Sequence, residues 1–112
     1  MGAIEEKEKS MKECCRKHLS EQFGDDMEAI GEIYAEYVSS IGDKMAEADA
    51  AVAAGAWDTL DKVAHTIKGN ALTAGDQQMA DAAIALRSVA QQQDRSGVDR
   101  LIADMKALAT QL

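Results

Sequence analysis

Hydrophobic residues return every three or four positions along most of the chain, which is the spacing of an amphipathic α-helix. The longest stripe predicts one helix of about seven turns, from about Asp26 to Ala53. Asp25 and Asp26 suit its N-terminal cap and first turn, and Gly55 suits its C-terminal end. Its apolar positions are Met27, Ile30, Tyr34, Tyr37, Ile41, Met45, Ala48 and Val52.

Three further helices follow, separated by turns that contain glycine or polar residues. The second is predicted from about Ala56 to Thr73. Gly75 ends it, Asp76 can cap the third helix, and Asp94 or Ser96 can cap the last one. The inward positions of the three helices are Leu60, Val63, Ile67 and Ala71; Met79, Ala82, Ala83, Leu86 and Ala90; and Val98, Leu101, Ile102, Met105, Leu108 and Leu112.

Ahead of these four helices, residues 4 to 22 are predicted to form a charged helix with Met11, Cys15 and Leu19 on one side. Four amphipathic helices joined by short turns favour an all-α fold, an antiparallel up-down four-helix bundle with the N-terminal helix as a flank. We expect one domain over residues 1–112, with the flanking helix at 1–23 and the bundle at 24–112. The alanine-rich inner faces indicate close helix approach, which disfavours an enzyme with a buried pocket.

The composition supports this fold class and narrows the choice of partners. The sequence has no proline, 46% hydrophobic residues, many of them alanine, and only 4% aromatic residues. A net charge of −8 argues against binding to nucleic acid and fits a protein that meets other proteins. No apolar stretch approaches the roughly 20 residues that span a bilayer, and the N-terminus lacks the apolar segment of a secretory signal.

The two cysteines, Cys14 and Cys15, are neighbours in the chain. On a helix they point about 100° apart, which does not suit a structural disulfide, so a cytoplasmic protein is the simpler interpretation. His18 follows, but the group has neither a CxxC spacing nor a second ligand pair. A helix surface with one thiol turned inward is therefore favoured over a metal site.

The candidate chemistry lies in "AHTIKGNALTAG", residues 64–75. At about 100° per residue, His65 falls outside the core stripe and faces solvent. Gly69 costs helix stability but clears space beside the imidazole, as the approach of a second protein would require. Lys68 places an ammonium beside the ring, where it could neutralise a bound anion such as phosphate. Leu72 is the last residue of this strip and is predicted to be exposed. On spacing alone, the pattern is explained equally well by surface residues that have no shared function.

This segment resembles the signature of histidine-containing phosphotransfer (HPt) domains, which runs approximately A-H-x-L-K-G-x-A-x-x-L-G. Upstream, "AVAAGAWDTLDKVAHTIKG" is similar to the family's "ALAxGDWxxL". The resemblance continues downstream into "MADAAIALRSVA" and "LIADMKAL", so that it covers roughly residues 24–112. The long helix before the motif and the two helices after it also match the layout of that family.

Some positions depart from the family pattern. Ala56 stands where an aspartate is usual, which weakens the cap of the histidine helix, and Ala74 and Asp76 replace a bulky apolar residue and a small one. The family often has a polar side chain, frequently glutamine, that reaches the imidazole from the next helix. The aligned position is Arg87, with Gln91 one turn later, and the sequence leaves open which of the two approaches the histidine.

The resemblance implies a phosphocarrier and not an enzyme. His65 would accept a phosphoryl group through Nε2 from the aspartyl phosphate of a receiver domain and pass it to another receiver. Lys68 would stabilise phosphoryl charge, Gly69 would admit the receiver's loops, and Leu72 would belong to the docking face. We expect no cofactor in this chain, with magnesium coming from the receiver, because the sequence shows no dedicated carboxylate cluster and no nucleotide-binding motif.

The implied partners are response-regulator receiver domains, with a hybrid histidine kinase as a further candidate, and the chain is expected to be a monomer. The phosphoacceptor helices of a histidine kinase are disfavoured, because Thr66 follows the histidine where an acidic residue is normal and because proline is absent. A helical-bundle scaffold that binds a signalling partner without phosphorylation stays an alternative. Both a standalone protein and a part of a larger kinase agree with the sequence.

Overall fold

The structure, a computed structural model that describes residues 11–112, contains five α-helices in that range. The flanking helix α1 spans Glu13–Phe23, and the bundle comprises α2 (Met27–Ala54), α3 (Trp57–Ala74), α4 (Gln77–Gln91) and α5 (Arg95–Ala109). From α2 to α5 each helix packs against the next one along the chain, and α5 packs back on α2. The predicted all-α bundle with an N-terminal flanking helix is confirmed.

Three of the helices begin at an aspartate that caps the first turn. Asp26, Asp76 and Asp94 each accept a hydrogen bond from the backbone N–H three residues later, at distances of 3.1 Å, 3.3 Å and 3.1 Å. The cap of α5 is therefore Asp94 and not Ser96. Ala56 gives α3 no side-chain cap, in agreement with the expected weaker start of that helix.

Gly75 ends α3 in a Schellman motif. Its φ of 80° is left-handed, its N–H donates to the carbonyl of Leu72 at 3.2 Å, and the N–H of Asp76 donates to the carbonyl of Ala71 at 2.8 Å. A side chain at Gly75 would also collide with the side chain of His18 on α1. This glycine therefore both turns the chain into α4 and makes room for the flanking helix.

The core follows the predicted apolar stripes closely, and most of the predicted inward positions are buried. On α4 the predicted Ala82 is only partly buried against the core, whereas Ala80, which was not predicted, lies fully in the core. Near its edges the core is less complete, and the apolar residues that are only partly buried there include Met27, Val52, Leu101, Leu108 and Leu112.

In the described part of the chain, the helix predicted over residues 4 to 22 is interrupted at Met11 and Lys12, and α1 begins at Glu13. Residues 4–10 of the predicted helix lie outside the described part of the chain, and Met11 and Lys12 are not helical. Tertiary contacts explain this start: the backbone N–H of Lys12 donates to the hydroxyl of Tyr34 at 3.1 Å, and its ammonium donates to Asp76 at 2.8 Å. The predicted buried side of the segment is confirmed, since it consists of Met11, Cys15 and Leu19.

A polar network joins Lys12, which precedes α1, to α2 and to the turn before α4. The hydroxyl of Tyr37 donates to Asp76 at 2.7 Å, and Asp76 is fully buried. Burial, and then the hydrogen bond to Asp76, raises the pKa of Tyr37 above its ordinary range, so the phenol keeps the proton that it donates. The hydroxyl of Tyr34 donates to the backbone carbonyl of Leu112 at 2.9 Å.

Candidate functional site

Helix α3 presents His65 on the side away from the core. Leu60, Ala64 and Ile67 are completely buried on this helix, whereas His65 is exposed. The predicted orientation of the imidazole toward solvent therefore agrees with the structure. The ring lies in the middle of α3, whose buried face packs behind it and positions it.

Gly69, one turn after His65, is exposed and stands beside open space. A Cβ atom built at this glycine meets no atom within 4 Å in the structure. Packing against a neighbouring helix does not require a glycine here. The absence of a side chain instead leaves the surface next to the imidazole low and accessible.

Lys68 is half-buried on the same helix, three residues after His65. Within residues 11–112 its ammonium forms neither a hydrogen bond nor an ion pair, unlike Lys12, Lys44 and Lys106, which each contact a carboxylate. Its charge is therefore not neutralised by a carboxylate of that part of the chain, and it is available to an anion brought by another molecule.

The structure brings Arg87 of α4 into contact with the imidazole. Its Nη1 lies 3.1 Å from Nδ1 of His65. A guanidinium carries only donors, so Nδ1 must be the acceptor. The other ring nitrogen, Nε2, forms no hydrogen bond with any residue of the described range. The choice that the sequence left open is thus resolved in favour of Arg87.

Gln91, the other candidate for the contact with the imidazole, binds Asp61. Its Nε2 donates to Oδ1 of Asp61 at 3.3 Å, and Nε of Arg87 donates to the same oxygen at 3.0 Å. The hydrogen bond from Arg87, above all, lowers the pKa of Asp61 below its ordinary value. Since α3 and α4 run antiparallel, Gln91 lies level with the turn before His65 and not with His65 itself.

Sequence reasoning missed Asp61, which stands four residues before His65 on the same exposed strip. The i, i+4 spacing places both side chains on one face of the helix, and this spacing was the available signal. A carboxylate at that position is ordinarily a solvated surface residue. Its role depends on Arg87 of α4, which contacts both Asp61 and His65 in the structure.

Apolar side chains flank the site on both helices. Leu72 on α3 is 46% exposed, as predicted, and Ile84 on α4 is 50% exposed. Because α4 is antiparallel to α3, Ile84, three residues before Arg87, lies level with the turn of α3 that follows His65. Sequence reasoning missed Ile84, whose signal is its position outside the inward stripe of α4.

The group formed by Cys14, Cys15 and His18 does not converge on one point. Cys14 is exposed and Cys15 is completely buried, so one thiol faces inward as predicted, and both are free. Burial, above all, raises the pKa of Cys15 to about 12, which keeps this thiol protonated. Among residues 11–112, no three His, Cys, Asp or Glu side chains are arranged to hold a metal ion.

The family model of the Hpt domain matches residues 32–112, which contain most of α2 and all of α3, α4 and α5. The match covers His65 and Arg87, which contacts its ring. The chain therefore belongs to the Hpt domain family. No curated protein and no solved structure matches it.

Membership of this family defines the class of activity. Hpt domains are histidine phosphotransfer modules of two-component signalling, and they are phosphocarriers rather than catalysts. They work with receiver domains and kinases in phosphorelays. Across residues 11–112, none of the helices combines the length and the apolar character needed to cross a membrane.

Proposed function

We propose that His65 is the phosphoacceptor of this Hpt domain. It would take a phosphoryl group from the aspartyl phosphate of one receiver domain and pass it to the aspartate of another. The observation that carries the proposal is the exposed imidazole on α3, which stands beside the open surface at Gly69 and one turn from the ammonium of Lys68, unpaired within residues 11–112. A neutral imidazole is a competent nucleophile near neutral pH.

In the proposed transfer, the lone pair of Nε2 forms the N–P bond while the P–O bond to the aspartate breaks. The electron pair of that bond stays on the departing carboxylate. The ammonium of Lys68 would stabilise the charge that spreads over the phosphoryl oxygens in the transition state. Gly69 would let the receiver bring its aspartate close to the ring. Magnesium would be supplied by the receiver, and we propose no cofactor site in this chain.

The proposed docking face consists of the exposed parts of α3 and α4 around His65. Leu72 and Ile84 would contribute apolar contact area on either side of the charged groups. An acidic aspartyl phosphate suits a face that carries the cations of Lys68 and Arg87 near the histidine. A response-regulator receiver would bind this face of the chain, which we propose to be a monomer. A location in the cytoplasm stays a prediction from the sequence.

Incubation with a phosphorylated receiver tests the proposal. The wild-type chain should acquire phosphate that is labile in acid and stable in base, as expected for a phosphoramidate bond. His65→Gln should abolish the label, while His18→Gln, which changes the other histidine of the chain, should keep it. Circular dichroism should show that both variants remain helical.

Two results would contradict the proposal. Label that persists in His65→Gln, or that disappears in a folded His18→Gln, would place the acceptor elsewhere. Tight binding of the receiver to the wild-type chain without any label would support the alternative of a scaffold that binds a signalling partner. The same experiment therefore distinguishes the relay from the scaffold.

A further inference from the structure

The contact between Arg87 and His65 fixes the proton of the imidazole. Because the guanidinium only donates, Nδ1 must present its lone pair to Nη1 at 3.1 Å. A neutral imidazole has one proton, which is then on Nε2. Attack by Nε2 needs a lone pair on that atom and therefore a proton on Nδ1. From this contact we infer the Nε2–H tautomer, in which Nε2 has no lone pair for attack.

Asp61 holds the guanidinium in this place. Nε of Arg87 donates to Oδ1 of Asp61 while Nη1 donates to the ring, so two donors of one rigid group are fixed at the same time. Gln91 donates to the same carboxylate oxygen and orients it. Asp61 and Arg87 are 25% and 31% exposed, so the pair is only partly screened by solvent.

We propose that Arg87, positioned by Asp61, is a lock on Nδ1 of His65 that slows both the gain and the loss of the phosphoryl group while no receiver is bound. This inference rests on the proposed role of His65 as phosphoacceptor. A docked receiver would have to displace the guanidinium from Nδ1, and the Asp61 carboxylate would keep the displaced cation nearby. Arg87 is thereby a positioning residue that acts through the histidine.

The protonation of Nδ1 controls both the gain and the loss of the phosphoryl group. In the forward step, Nε2 attacks phosphorus with Nδ1 protonated, the P–O bond breaks toward the carboxylate, and the product is a phosphoimidazolium ion. Loss of the Nδ1 proton to solvent gives neutral phosphohistidine, whose Nδ1 can again accept from Arg87. In the reverse step, Nδ1 must regain its proton, because the N–P electron pair otherwise returns to an anionic ring, which is a poor leaving group.

The experiment uses the chain alone, with phosphoramidate as a small phosphate donor, at about pH 8, where an ordinary imidazole is neutral. Arg87→Gln offers an amide oxygen that can accept from Nδ1–H, and Arg87→Met removes the polar contact altogether. Arg95→Gln is the matched control, because Arg95 pairs with Asp99 on the exposed face of α5, with 3.6 Å between Nε and Oδ1. The measured quantities are the ¹⁵N shifts of His65, the labelling rate and the half-life of the phosphorylated chain.

We expect the wild-type ring to be mainly the Nε2–H tautomer and both Arg87 variants to shift it toward Nδ1–H. A charge-assisted hydrogen bond at a partly exposed site should change the labelling rate and the half-life by roughly threefold to tenfold. Labelling should become faster and the half-life shorter in both Arg87 variants, and neither should change in Arg95→Gln. Asp61→Asn should change them in the same direction, because it frees the guanidinium.

Slower labelling in the Arg87 variants would overturn the lock and make Arg87 a group that stabilises the phosphoryl oxygens directly. An unchanged tautomer or an unchanged half-life would overturn it as well. Failure of the proposed function is a separate result, because it would appear as absent label on His65 of the wild-type chain, whereas the tautomer is measured without any phosphate.

Discussion

The guanidinium of Arg87 and the carboxylate of Asp61 join α3 to α4 one turn before the exposed histidine, with 3.0 Å between Nε and Oδ1. This hydrogen bond is the main reason why the pKa of Asp61 is lower than that of an ordinary aspartate. A depressed folded-state pKa stabilises the fold above the unfolded-state value of about 3.9, and this contribution is lost as the pH falls through the folded-state value. The helix pair should therefore keep this link through mildly acidic pH.

A carboxyl titration followed by ¹³C NMR checks the first prediction. Asp61 should titrate below the range of model aspartates, and Arg87→Met should return it toward that range. Arg95→Gln, remote from this pair, should leave the titration unchanged. An Asp61 that titrates normally in the wild-type chain would mean that solvent separates the two side chains.

Gly69 should matter for access to the imidazole and not for folding. Its Cβ position is open, and a residue with a better helix propensity gains up to about 1 kcal/mol in an exposed helix. Gly69→Gln should therefore keep or raise the melting temperature but sharply reduce transfer from a receiver. Labelling by phosphoramidate, which needs less room, should stay closer to the wild-type rate.

Gly42 supplies the matched control for this variant. It is exposed within α2, and a Cβ there also meets no atom within 4 Å. Gly42→Gln should raise the melting temperature similarly without slowing transfer. Receiver transfer that is equally fast in Gly69→Gln would show that the docking surface lies elsewhere, and a large fall in its melting temperature would show that Gly69 is packed.

Lys68→Ala should slow transfer to and from the receiver by about tenfold or more, because a positioned cation stabilises developing phosphoryl charge. Its free energy of unfolding should change by less than about 0.5 kcal/mol, since the side chain has no partner within residues 11–112. Rapid-quench kinetics measure the rate. Lys106→Ala, which removes an exposed lysine that pairs with Asp49 on the other side of the bundle, should transfer normally. A wild-type rate in Lys68→Ala would remove this lysine from the mechanism.

The network around Asp76 should contribute more to stability than an ordinary helix cap. Asp76→Ala leaves the Lys12 ammonium and the Tyr37 hydroxyl without their buried acceptor, which should cost about 3–5 kcal/mol of unfolding free energy. Asp94→Ala removes a cap of the same geometry at an exposed site and should cost about 1 kcal/mol. Urea denaturation compares the two, and equal losses would show that the buried network adds nothing beyond capping.

The fold could be predicted from the sequence because its determinants are local. Apolar periodicity predicted the buried face of each helix, and Asp26, Asp76 and Gly75 predicted where helices begin and end. The start of α1 could not be predicted in this way. Lys12 is not helical, and its backbone N–H and its ammonium bind Tyr34 and Asp76, which lie far away in the chain.

In the candidate site, too, the features set by local helix geometry could be predicted, and those set by tertiary packing could not. The exposure of His65 and Gly69 follows from helix geometry alone, since both lie on the strip of α3 opposite to its core face. The contact with Arg87 depends on the register of α4 against α3, which is set by packing of the two apolar faces. A shift of one turn would bring Gln91 to the ring instead, and no pattern within either helix excludes that register.

The close approach of His18 to Gly75 has a consequence for how related sequences can diverge. Position 75 is restricted twice, by a backbone conformation that favours glycine and by a side chain that arrives from α1. The second restriction exists only where a helix like α1 covers the turn. Relatives that keep this helix should therefore retain glycine at position 75 nearly without exception, whereas relatives that lack it should admit asparagine there, the other residue that tolerates the left-handed conformation.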